Sequence, residues 1–279
     1  VLINGKTGDS LAATDRGLLY GDGLFETLAV CDGTACLWHR HMQRLEQGCR
    51  RLGMEAPNAT DLANEAARLV EGRDRGILKI IVTRGSGGRG YRPDPGAPSR
   101  RILQLFPSPD YPADWGQFGV ELRFCTTPLA ANPVLAGIKH LNRLEQVLAR
   151  AEWDTPGIAE GLMADLEGRV IEGTMSNLFL VSGGELTTPP VDRCGVAGVM
   201  RALVLDLASR LGIPARIAEI RRPDLQHADA LFMTNSLIGI WPVRQLERWS
   251  YDIAAIPDRL RKAVEQYGFA AGDVGSVSW

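Results

Sequence analysis

The sequence predicts an α+β protein of two domains, and three observations carry that expectation. The chain has 279 residues, a length that suits one large or two medium domains and lets about three quarters of the unfolded surface be buried. Its strand-like and helix-like segments do not alternate in the regular βαβ manner of a doubly wound sheet. Finally, PSPDYPADWG (107–116) holds three prolines in ten residues and reads as a linker. The expected organisation is a smaller N-terminal domain over 1–106, a linker over 107–117 and a larger C-terminal domain over 118–279.

Taken in order, the N-terminal region begins with strands. Residues 2–4 form a short one, and 25–31 with 35–38 form a hairpin about Asp32-Gly33, a dipeptide suited to a tight turn. A helix follows over 39–52, where Met42, Leu45, Cys49 and Leu52 recur along one face. The next helix covers 60–70, with Thr60 as its expected N-cap. Strands over 77–83 and 101–106 flank a loop rich in Gly and Pro. Beyond the linker, 120–125 alternates as a strand, and a helical pattern runs from Lys139 through Leu141, Leu144, Val147 and Leu148 to about Trp153. Strand pairs are expected at 161–165 with 170–172 and at 178–181 with 185–187. A helix over 199–211, strands near 215–220 and 230–233, and a last helix over 260–267 complete the chain.

Composition excludes several classes of protein. Hydrophobic content of 45% and charge of 23% are ordinary for a globular chain, and a net charge of −2 gives no sign of a nucleic-acid-binding body. No apolar run reaches about 18 residues and the start is not charged-then-apolar, so neither a membrane span nor a secretory signal is expected. Five cysteines without a CxxC spacing argue against a disulfide framework and point to free thiols in a reducing cytoplasm. Cys31 and Cys36 flank the hairpin turn as near neighbours and are read as free thiols.

Chemistry concentrates in two stretches, GIKHLNRLEQ (137–146) and VIEGTMSNLFLV (170–181). Apolar Val134, Leu135 and Ile138 precede Lys139, and desolvation there favours a neutral amine able to attack a carbonyl. A snorkelling lysine at a helix start is the plainer alternative. Together with YGDGLFET (20–27), HMQRLEQ (41–47), TRGSGGRGY (83–91), GVMR (198–201) and MTNSLIGIWPV (233–243), these stretches resemble the fold type IV pyridoxal-phosphate enzymes. That class contains branched-chain aminotransferases, D-amino acid aminotransferases and aminodeoxychorismate lyases. The resemblance runs nearly end to end, and KHLNRLEQ with RGSGGRGY lie nearest the lyases.

The resemblance implies pyridoxal 5'-phosphate as cofactor, a small-molecule substrate and a homodimer, to which the apolar hairpin 27–38 contributes. Lys139 is then the Schiff-base lysine and Glu172 the carboxylate that keeps the pyridine nitrogen protonated. Taken alone, a strand-end glutamate is usually solvated. Phosphate would be held by the amides of Val199 and Met200 at a helix start, where the dipole favours an anion, by Arg44 and by Ser236. Asn177 lines the cofactor site. Thr27 stands where branched-chain aminotransferases read FEG and would hand a proton to the leaving group, although a β-branched residue in a strand needs no functional reason. Arg84, Arg89, Tyr91 and Asn235 are the candidates for holding substrate carboxylates, a flexible basic surface loop being the alternative for the first three. The activity implied is conversion of 4-amino-4-deoxychorismate to 4-aminobenzoate and pyruvate in folate biosynthesis, or else transamination of D-amino or branched-chain acids by the same Lys139 and Glu172.

Two other signals dissolve on inspection. GSGGRG (85–90) satisfies GxGxxG, but prolines at 93, 95 and 98 forbid the helix that a dinucleotide site requires. His39 and His41 point to different sides of one helix without a partner at ligand spacing, so no metal site is expected.

Overall fold

The structure is a computed structural model that describes residues 1–94, 96–112 and 114–268. Pro95 and the 269–279 end of the second expected domain lie outside the described residues. The chain divides into two compact units, one of Val1–Pro109 with Ile138–Asn142, the other of Asp110–Gly137 with the chain from Arg143 onward. Both mix helix and sheet, as expected.

The first unit has one antiparallel sheet. Its strands are β1 (Leu2–Ile3), β2 (Lys6–Thr7), β3 (Gly23–Cys31), β4 (Thr34–Ala35), β5 (Arg75–Thr83) and β6 (Arg100–Phe106), in the order β2-β1-β6-β5-β3-β4. Helices α1 (Arg16–Tyr20), α2 (Trp38–Leu52) and α3 (Ala59–Val70) complete it. Alternation decides the packing: Leu24, Leu28 and Val30 of β3 and Leu78, Ile80 and Val82 of β5 form a core with Leu45 and Cys49 of α2 and Leu62, Ala66 and Val70 of α3. Each of the Leu, Ile and Val side chains contributes roughly 1.5–3 kcal/mol on burial. The cap of α3 is Asn58, not Thr60; its Oδ1 accepts from the amides of Thr60 (2.9 Å) and Asp61 (3.1 Å). The second hairpin strand stops at Ala35 because Leu37 turns to a φ of 55° and Trp38 already begins α2.

The second unit contains α4 (Trp115–Phe118), β7 (Val120–Phe124), α5 (Leu144–Arg150), β8 (Ile158–Ala164), β9 (Arg169–Gly173), β10 (Asn177–Ser182), β11 (Glu185–Thr188) and α6 (Val199–Arg210). It continues with β12 (Ala215–Ile217), β13 (Ile220–Arg221), α7 (Arg222–Gln226), β14 (Ala230–Asn235), β15 (Gly239–Leu246), β16 (Trp249–Ser250) and α8 (Asp258–Glu265). The strands run β12-β11-β10-β14-β15-β7-β8-β9-β13, and β9 pairs back to β10 through Glu172 opposite Asn177. Six strands from β10 to β9 thereby close into a barrel-like ring.

Two expected boundaries shift. The linker's distal half belongs to the second unit, because Tyr111 and Trp115 pack edge-on against Trp241 with ring centroids 4.8 and 5.0 Å away. The lysine stretch does not open a helix in the larger domain. Residues Ile138–Asn142 belong to the first unit, and the helix begins only at Leu144.

Candidate active site

Backbone pairing places the lysine. The Phe25 amide donates to Lys139 O (3.1 Å), the Leu141 amide to Gly23 O (3.0 Å), and Leu24 bridges His140. The stretch is thus an extra extended segment beside β3. Only glycine fits at position 23, where a Cβ would meet Leu141 Cδ1 at 2.8 Å. Ile138 enters the core below the sheet, so alternation turns Lys139 to the opposite face. There its Nζ lies 4.3 Å from the centroid of the Phe25 ring. Thr27, two residues along β3, shares that face. It stands in register with Lys79 of β5, whose Nζ is 5.5 Å from the same centroid.

On the core side of β3 sits a charge that the sequence reading missed. Glu26 is 1% exposed. Arg44, on α2, donates from Nε to Glu26 Oε1 (2.8 Å) and from Nη2 to Oε2. His41 lies 2.6 Å away through Nδ1. Burial pushes the Glu26 carboxyl up, but Arg44 and His41 outweigh it and hold the group at about 2. For His41 burial wins instead and its pKa falls. The imidazole is therefore neutral, with the Nδ1 proton donated to the carboxylate and Nε2 buried without a hydrogen-bond partner among the described residues. Glu26 announces itself in sequence as a charge on the parity of Leu24 and Leu28. Arg44, the expected phosphate ligand, has its guanidinium oriented by this carboxylate.

In the second unit, Glu172 is 4% exposed at the end of β9. Its Oε2 accepts from the Val196 amide (2.8 Å) and Asn177 Nδ2 (3.3 Å), and Asn177 Nδ2 also donates to Val196 O (3.0 Å). Two glycines allow this closeness. A Cβ on Gly198 would overlap Asn177 Oδ1, and one on Gly195 would meet Ile171 Cγ2 at 2.8 Å. Burial lowers the pKa of both Arg143 and Arg201, and the charge of Glu172 opposes the shift in each. Immediately after Gly198, α6 starts with no side-chain cap, leaving the first-turn amides of Val199 and Met200 to other acceptors.

Two of the expected substrate contacts have partners within the chain. Arg84 is buried, with Nε on Asp22 Oδ2 (2.8 Å), Nη1 on Gly53 O (2.8 Å) and Nη2 on Leu52 O (2.7 Å). Its guanidinium ties the β5 end to the C-terminal end of α2. The carboxamide of Asn235 builds a turn: Oδ1 accepts from the amides of Leu237 (2.8 Å) and Ile238 (3.1 Å), while Nδ2 donates to Met175 O (3.2 Å). Ser236 is half-buried in that turn. Arg89 and Tyr91 are exposed on a loop pinned by Arg16, which donates to Gly90 O (3.0 Å) and Tyr91 O (2.9 Å).

A family model for class IV amino-transferases matches residues 23–246. The chain belongs to this family. An aminodeoxychorismate lyase from Vibrio harveyi is 36% identical over 86% of this chain and 89% of its own length. The branched-chain-amino-acid aminotransferase of Escherichia coli K12 is 30% identical over 83% and 78%. Among solved structures, 4-amino-4-deoxychorismate lyase from Pseudomonas aeruginosa superposes with a TM-score of 0.89 at 49% identity, covering 95% of this chain and 97% of that one. Class IV amino-transferases and their lyase relatives work with pyridoxal 5'-phosphate, and the donor set suits it. An amine on an aromatic face, a buried charged carboxylate and an uncapped helix start are what an aldehyde, a pyridine nitrogen and a phosphate require.

Proposed function

We propose that this protein is a pyridoxal-phosphate-dependent lyase that converts 4-amino-4-deoxychorismate to 4-aminobenzoate and pyruvate, the aromatic product feeding folate biosynthesis. One observation carries the reading. Identity to the Pseudomonas lyase is 49% along 95% of the chain, against 25% along the same share for an Escherichia coli branched-chain aminotransferase structure. Bound pyridoxal phosphate supplies an aldehyde that takes up an amine and a ring that draws electrons from the amine-bearing carbon. Lys139 Nζ would hold the aldehyde and, as a free amine, would take the proton from that carbon. Glu172, kept in place by Val196 and Asn177, holds a proton at the pyridine nitrogen. Val199, Met200, Arg44 and Ser236 bind the phosphate. Thr27 donates a proton to the departing enolpyruvyl oxygen, and aromatisation makes the loss of pyruvate strongly downhill. Arg89 and Tyr91 border the substrate end.

The active species is a homodimer, supported by the apolar side chains that α5 presents to solvent. Five free thiols suit the cytoplasm. Two assays on 4-amino-4-deoxychorismate test the central reading. Pyruvate, followed through lactate dehydrogenase, and 4-aminobenzoate should appear in equal amounts. Amino-group exchange between amino and 2-oxo acids without 4-aminobenzoate would instead make the protein a transaminase.

A further inference from the structure

Glu172 and Asn177, which bond each other, flank the short turn 173–176. Among the described residues their strands meet through one register pair, Glu172 opposite Asn177. The turn therefore decides how β9 presents its carboxylate. The Gly173 amide closes it by donating to Ser176 O (2.7 Å). The hydroxyls of Thr174 and Ser176 and the amides of Thr174 and Met175 must find acceptors elsewhere.

Strand β8 supplies the acceptor. Its register with β9, Met163 opposite Glu172 and Leu162 opposite Gly173, carries Glu160 to the level of Met175. Glu160 is 1% exposed. Its Oε1 accepts from the Thr174 hydroxyl (2.6 Å), the Thr174 amide (3.0 Å) and the Gly161 amide (2.9 Å). Its Oε2 accepts from the Ser176 hydroxyl (2.7 Å) and the Met175 amide (3.1 Å). A buried carboxylate needs donors to replace its lost hydration, and here all but the Gly161 amide come from the one turn. Gly173 lets the turn close over the carboxylate, since a Cβ there would meet Ser176 Oγ at 2.5 Å and Glu160 Cδ at 2.8 Å.

We propose that Glu160 is a positioning residue for the cofactor's pyridine nitrogen, acting through the turn that sets the Glu172 carboxylate against Asn177. The proposal rests on the role given above to Glu172. Glutamine at 160 keeps the shape but puts an NH2 where an oxygen accepts, so a donor meets donors and the turn shifts.

The test loads the full chain with pyridoxal phosphate or with its 1-deaza analogue, in which CH replaces the ring nitrogen, and compares apparent dissociation constants. The analogue gives Glu172 no nitrogen to hold, so misalignment of Glu172 is read as a loss confined to pyridoxal phosphate. Glu160→Gln should weaken pyridoxal phosphate by roughly tenfold and leave the analogue within about twofold. Glu172→Gln should do the same. The two substitutions together should cost no more than Glu172→Gln alone, because one acts through the other. Thr174→Val removes one hydroxyl bond and keeps the carboxylate; it should shift binding the same way by about threefold, and it carries the test if Glu160→Gln does not fold. Equal weakening of both cofactors, weakening of neither, or additive losses in the double variant would make Glu160 a structural residue only and overturn the proposal. A Glu172→Gln chain that shows no loss confined to pyridoxal phosphate would instead remove the role of Glu172, and the proposal with it.

Discussion

Glu26 has no solvent to hold its charge, so two neighbours on α2 do. Arg44 and His41 hold its carboxyl at about 2 in the folded chain, against 4.5 for an ordinary glutamate. A depressed carboxylate pKa gives stability that is fully present above the unfolded value and is lost as pH falls from about 4.5 to about 2. The amount is on the order of 3 kcal/mol. Glu26→Gln should flatten that acid limb of urea unfolding and lower stability at pH 7 by about 3–5 kcal/mol, because the buried ion pair with Arg44 is broken. An unaltered acid limb in the variant would remove Glu26 as its cause. At Lys139, alanine should abolish both the visible absorption of the bound cofactor and turnover while the protein stays folded. Near wild-type turnover in that variant would end the assignment. Glu172→Gln should keep the cofactor and slow the reaction, since an amide does not hold the pyridine nitrogen protonated; unchanged kcat would count against it.

Elements decide how those residues are presented, and here the sequence was legible in some places and opaque in others. Helices α2, α3 and α6 and strands β5 and β6 lie within a residue or two of their expected ranges, because α2 and α3 have an apolar face that the helical period reveals and the others are apolar runs bounded by turn residues. The segment Ile138–Asn142 defeated the same logic. Its Ile138 and Leu141 are spaced like a helix, yet tertiary pairing with β3 holds it extended. Arg84 read as a basic loop residue, and nothing local shows that Asp22 and two α2 carbonyls claim it. GVMR, by contrast, marked the start of α6. There Gly198→Ala should drive Asn177 from its place against Glu172 and the 195–198 loop, an overpacking cost of about 1–3 kcal/mol, and weaken cofactor binding measured by equilibrium dialysis. Adding Asn177→Ala to Gly198→Ala should relieve the overlap and recover stability. If Gly198→Ala alone binds cofactor like wild type, the loop gives more easily than its packing implies.

Over the whole molecule, the first unit carries Lys139, Thr27 and Arg44, and the second carries Glu172, Asn177, Ser236 and the α6 amides. Surface distribution bears on assembly. The seven-residue helix α5 exposes Leu144 (75%), Val147 (59%) and Leu148 (60%) at positions i, i+3 and i+4, one continuous face. Water-exposed leucines on such a short helix gain nothing for the isolated fold, whereas burying each against a second copy is worth roughly 1.5–3 kcal/mol. The hairpin, with its second strand only Thr34–Ala35, offers less. Val147→Glu combined with Leu148→Glu should therefore raise the dimer dissociation constant by about a hundredfold or more, equivalent to about 3 kcal/mol. Sedimentation velocity over a concentration series reads that shift. The thermal midpoint of the dissociated variant should stay close to that of diluted wild type, because neither side chain packs into the core of its own unit. A wild-type chain that sediments as a monomer at all concentrations would defeat the homodimer, and a variant that stays dimeric would move the interface off α5.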